Sequence, residues 1–177
     1  MLVTIVQMIL TTYPIDESRP HAFSILERLW ELVQQWGQDP AMRSAALTII
    51  HAAGYRDGQS VLAADALRRW VMDSMRWIAD PFGTEFVVAP QQLLAEILEN
   101  GRAYGDCDDF VGLFCSLARS VGLDARPVGV RLGTDPSDPT RFDHVIASIR
   151  FADAVRDYDL CAKFYANPEY LERLVIS

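Results

Sequence analysis

The sequence predicts an α+β fold in which a helical N-terminal half is followed by a small antiparallel sheet with one helix packed on it. Three observations predict it. Apolar residues recur at helical spacing through most of the first eighty positions, three short β-rich runs follow residue 124, and one glycine-bounded apolar helix lies between them. Helices first and strands after favour α+β over a βαβ array. At 177 residues, half of them hydrophobic, the chain can bury a core of its own. The expected organisation is a helical region over 1–80 and a core over 81–177, forming one compact unit with no Gly/Ser linker between them.

Each element has a local reason. Phe23, Leu26, Leu29, Trp30 and Val33 form the stripe of a helix over 19–36 that stops at Gly37. Pro40 suits the start of a second helix, which ends at Gly54. A third begins at Ser60, its stripe of Val61, Ala64, Leu67, Val71, Met75 and Ile78 running up to the breaker "ADPFG". The four tryptophans, Trp30, Trp36, Trp70 and Trp77, suit packing among these helices. "TEFVVAP" reads as extended, "QQLLAEILEN" as a helix ending at Gly101, and "GRAYG" as a loop. Beyond it Phe110, Leu113, Phe114, Leu117 and Val121 follow helical spacing, with Gly122 as a natural stop. "ARPVGVRL", "DHVIASIRF" and "AVRDYDL" are then three antiparallel strands, the first two joined by "GTDPSDPT".

Composition removes several function classes. The 24 acidic residues outnumber 16 basic ones, the net charge is −8, and no Lys/Arg run exists, so nucleic acid is not an expected partner. The apolar opening "MLVTIVQMIL" lacks a basic leader and runs into "TTYPIDESRP", so neither a signal peptide nor a membrane partner is expected. Three cysteines fit a reducing, cytoplasmic setting better than a disulfide framework.

The chemistry centres on "GDCDDF", residues 105–110. Neighbouring carboxylates raise a thiol's pKa, so Cys107 looks badly placed for reactivity. Its position at a helix N-terminus acts the other way, because first-turn N–H groups and the macrodipole favour a thiolate. Asp106 is then a candidate N-cap, and Asp108 and Asp109 complement the dipole. His144 is the one histidine in the β-rich half, 37 residues after the cysteine. An imidazole beside such a thiol takes its proton and arms it for attack on carbonyl carbon. Asp157 and Asp159 share one face by strand alternation, and either is placed to orient the ring. Cys115 suits core packing, Cys161 has no evident partner, and His21 and His51 suit surface or capping roles. Asp106, Asp108, Asp109 and His144 offer ligands to a hard cation, but the glycine and spacing of a calcium loop are missing. Neither a metal nor a cofactor is expected.

"GDCDDFVGLFCSLARSVGLDARPVGV", followed by "FDHVIASI" and "VRDYD", resembles the transglutaminase-like superfamily, thiol enzymes with a papain-like α+β core. The resemblance covers about 99–161. It implies Cys107 as nucleophile, His144 as acid/base and, with Val155 at the family's aromatic position, Asp159 as the third member of a triad, Asp157 being the alternative. It implies a protein or peptide substrate attacked at an amide carbonyl, and an oxyanion hole made from the Cys107 N–H and a second donor, for which Asn100, Tyr104 and Gln92 are candidates. The upstream "RWVMDSMRWIADPFGTEFVVAPQQLLAE" is similar to transglutaminase-like proteins of tailed phages and prophages, which implies a virion setting and phage structural proteins as partners. Two function classes follow: a cysteine protease, amidase or transglutaminase, and a non-catalytic assembly or binding protein on the same fold.

Overall fold

The computed structural model describes residues 21–56, 58–80, 86–132, 142–164, 170 and 172–176. Helix α1 (His21–Trp36) ends at the expected glycine; residues 19 and 20 lie outside the described part, as does the turn at 133–140. Helix α2 (Pro40–Ala52) starts with proline, and the Asp39 carboxylate accepts the N–H groups of Ala41 and Met42 at 2.9 Å each, an N-cap satisfying two first-turn donors. Helix α3 (Ser60–Ser74) is shorter than its apolar stripe suggests. At Met75 the backbone becomes extended (φ −102°, ψ 150°), and β1 (Met75–Trp77) pairs in parallel with β2 (Ala103–Gly105), the stretch expected to be a loop. A partner strand 28 residues away overrides the local helical period, and Trp77 consequently sits on a strand rather than between helices.

Phe86–Ala89 takes no ladder position and leads into α4 (Pro90–Asn100), which Gly101 ends with φ +77°. Helix α5 (Cys107–Ser120) is the centre of the molecule: Phe110, Val111, Leu113, Phe114, Leu117 and Ala118 are all fully buried. Helices α1 to α4 pack around it. Gly112 permits a close approach, since a Cβ there would lie 2.9 Å from Leu29 Cδ1 of α1. Gly122, at φ +89°, turns the chain out of α5.

The sheet covers the other side of α5. Strands β3 (Asp124–Arg131), β4 (His144–Arg150), β5 (Val155–Tyr158) and β6 (Glu172–Leu174) are antiparallel in the order β5-β4-β3-β6. The fourth strand was absent from the sequence reading. Ala125, Val145, Ala147, Ile149 and Tyr158 join the main core with α5, whereas Val128, Val130 and Ile146 form a second cluster on the opposite face. His144 pairs with Val130, and Val130 with Arg173, so one row crosses β4, β3 and β6. No described helix is long and apolar enough to cross a membrane.

Candidate active site

Cys107 is the first residue of α5. Asp106 before it is extended (φ −108°, ψ −156°), and the first helical bond runs from Phe110 N–H to Asp106 C=O at 3.1 Å. The Cys107 N–H is therefore among the first-turn donors with no acceptor four residues back. Asp109 does more than complement a dipole. It is buried, with Oδ1 accepting Val88 N–H at 2.8 Å and Oδ2 accepting Asp106 N–H at 3.4 Å, so it clamps the helix start to the segment before α4. Its side chain folds back over Gly105, where a Cβ would meet Asp109 Cβ at 2.6 Å; the glycine of "GDCDD" is a steric requirement. Burial first, then Asp106, pushes the Asp109 carboxyl well above its usual range, against the pull of its two backbone donors.

The Cys107 side chain is partly buried, and Val145 N–H hydrogen-bonds its sulfur. That contact puts the thiol against the start of β4, beside the residue that follows His144. Burial pushes the thiol well up, and Asp106, Asp108 and Cys161 push it further; the Val145 donor alone opposes them. Desolvation and two adjacent carboxylates thus act on the thiol against the pull of the helix terminus.

His144 is buried, with Nε2 3.0 Å from Asp159 Oδ1; the two side chains are 0% and 8% exposed. Asp159 lies just past the end of β5. Its Oδ1 also accepts Cys161 N–H at 2.8 Å, and its Oδ2 accepts the Tyr170 hydroxyl at 2.8 Å. Burial raises the Asp159 carboxyl, but these hydrogen bonds, His144's foremost, outweigh it and hold the group below the usual carboxylate value. Asp157 is engaged elsewhere, in a bidentate pair with Arg173 at 2.6 and 3.0 Å. Among the oxyanion candidates, Tyr104 is exposed on β2, while Gln92 and Asn100 sit near opposite ends of α4, about 12 Å apart along its axis, so at most one of those two can serve.

Asp106, Asp108 and Asp109 can each bring a carboxylate oxygen within 4.8 Å of the others, the one such cluster among the described residues. Asp109 already spends both oxygens on backbone donors, which marks it as a structural acid. Cys115 is enclosed in α5, and burial raises its thiol. Sequence reasoning missed Tyr170, the Val145 donor and the Asp109 clamp. Nothing in "NPEYLERLVIS" marks the tyrosine, and the other two depend on backbone groups brought in from distant segments.

Residues 51–166 match the family model described as the Transglutaminase-like superfamily. The chain belongs to that superfamily. Cys107, His144 and Asp159 fall within the matched stretch, while Tyr170 and β6 lie beyond it. The fold is similar to that of a crystal structure titled "putative protease" from Parabacteroides distasonis ATCC 8503, with a TM-score of 0.54 and 11% identity over 76% of this chain. This chain spans 26% of that protein's length, so the likeness concerns the fold, an α+β papain-like core. No curated protein matches the sequence.

Proposed function

We propose that this transglutaminase-like chain is a thiol-dependent acyl-transfer enzyme acting on the amide carbonyl of a protein or peptide. The observation that carries the reading is the buried His144–Asp159 hydrogen bond at 3.0 Å, on the strand whose Val145 N–H reaches the sulfur of Cys107 at a helix N-terminus. Cys107 is the nucleophile, His144 the acid/base, and Asp159 the acceptor that fixes the ring. With Nε2 engaged by Asp159, Nδ1 is the nitrogen that exchanges a proton with the thiol.

In this reading proton transfer accompanies attack. Nδ1 takes the Sγ proton as sulfur bonds to the carbonyl carbon and the carbonyl π pair moves onto oxygen, facing the Cys107 N–H. His144 then protonates the amide nitrogen, the C–N bond breaks, and an acyl thioester remains. Water or an amine attacks the thioester, giving its proton to His144, and sulfur leaves to recover that proton. With water the reaction is hydrolysis; with an amine it is transglutamination. On the upstream sequence resemblance alone, the proposal extends to a virion-assembly setting, with phage structural proteins as substrates.

A small activated acyl ester tests this. Mass spectrometry is expected to find an acyl adduct at Cys107 that forms many times more slowly in His144→Ala and is absent in Cys107→Ser. No adduct at Cys107, or one forming at the same rate without His144, would sink the enzyme reading. The upward-shifted thiol favours a second reading, a non-catalytic assembly or binding module. That reading gains if a folded chain gives no adduct.

A further inference from the structure

We propose that Tyr170 is a positioning residue of this site, its hydroxyl fixing the Asp159 carboxylate so that Oδ1 stays on His144. The inference rests on the acyl-transfer reading above. A carboxylate turns about its Cβ–Cγ bond unless both oxygens are held. Here Oδ1 carries His144 Nε2 and Cys161 N–H, and Oδ2 carries the Tyr170 hydroxyl at 2.8 Å. Removing that donor leaves Oδ2 without its phenol and the plane of the acid less determined.

The fold fixes where the hydroxyl arrives. Tyr170 lies three residues before Arg173, and Arg173 stands in the row that runs through Val130 to His144. The Asp159 carboxylate, bonded to both side chains, sets the tyrosine relative to the imidazole. Arg173 from the same segment engages Asp157, the other acid on that face. The C-terminal segment thus sorts two neighbouring acids, one to an arginine and one to the tyrosine and histidine. The groups facing Asp159 are His144 from β4, Tyr170 from the segment before β6, and Cys161 from its own; Cys161 is in turn under the influence of Asp106, Asp108 and Lys163. Burial and Asp159 together raise the Tyr170 phenol, keeping it a donor.

The test follows the Asp159 carboxyl by carbon-13 NMR and Cys107 by iodoacetamide labelling in the parent and in Tyr170→Phe. The expected result is an Asp159 midpoint about one unit higher and Cys107 labelling slowed about tenfold near neutral pH. A midpoint or a labelling profile unchanged from the parent's overturns the proposal. In the converse measurement, Asp159→Asn is expected to bring the Tyr170 ionisation down in pH, and a static ionisation overturns it too. Labelling indifferent to His144→Ala, with the Asp159 midpoint still moved by Tyr170→Phe, would instead overturn the acyl-transfer reading and with it any positioning role, leaving a structural hydrogen bond.

Discussion

Replacing Asp159 by asparagine removes the charge that faces the imidazole while preserving size. His144 and Asp159 are 3.0 Å apart, with side chains 0% and 8% exposed, so little water screens them. Unit charges about 4 Å apart interact by about 4 kcal/mol at an effective dielectric constant of 20. Asparagine keeps a neutral acceptor and recovers part of this, so the imidazolium formed during thiol deprotonation loses about 2–4 kcal/mol of support. The consequence is Cys107 chemistry slowed about 30- to 900-fold. The assay is the second-order rate of iodoacetamide labelling at Cys107, resolved by peptide mass spectrometry between pH 6 and 8, with circular dichroism checking the fold. A rate within about threefold of the parent's throughout that range would refute the reasoning, since the ring would then need no anionic partner.

Asp108→Asn removes one of the charges that raise the thiol, and Cys107 labelling at pH 7–8 is expected to quicken, against an unchanged or slower rate if the acid aids the chemistry. Gly105→Ala drives a methyl group into Asp109 and displaces its bond to Val88; overpacking and the lost bond together cost about 2–5 kcal/mol, measured as a lowered urea midpoint, and a cost below about 1 kcal/mol would show that the clamp yields freely. Two buried acids titrate in opposite senses. Asp159, depressed when folded, contributes stability above its unfolded value near 3.8 that is lost as pH falls through its lower folded value, so the stability deficit of Asp159→Asn at pH 7 should close in strong acid. Asp109 is raised when folded and contributes stability below pH 3.8 that is lost as pH rises towards its raised folded value, so Asp109→Asn should gain on the parent as pH rises above 3.8 in urea titrations; a constant difference would count against the raised carboxyl.

The parts of this fold legible in the sequence are those specified by neighbours in the chain. Helix α5 announces itself through Leu113, Phe114, Leu117 and Gly122, and β3 to β5 through short β-rich runs separated by turn residues. Met75–Trp77 was misread because it continues the stripe of α3, with no glycine or proline to stop it, while its partner is supplied by Ala103–Gly105. Both strands are three residues long, too short for alternation to register. At the site, residue types and order pointed to Cys107, His144 and two aspartates. Asp159 meets the histidine while Asp157 pairs with Arg173, contributed by a strand the sequence did not disclose. The balance of field at the thiol was also illegible, because it depends on burial, which no local pattern near Cys107 reports.

The parallel pairing of Trp77 with Gly105, reinforced by Ile78 N–H to Gly105 C=O at 3.0 Å, closes a loop in the chain two residues ahead of the nucleophile. Residues 78–102 leave from this clasp and return to it. The excursion is tied to the centre of the molecule at two places, α4 through Leu93, Leu94 and Ile97 in the core and Val88 through its N–H on Asp109, while one residue added between Gly105 and Cys107 moves the sulfur by about 3.3 Å along the chain. The clasp therefore holds the residues ahead of the nucleophile from both ends of the excursion, one strand before it and one after. For engineering, residues 105–109 are the place to leave untouched.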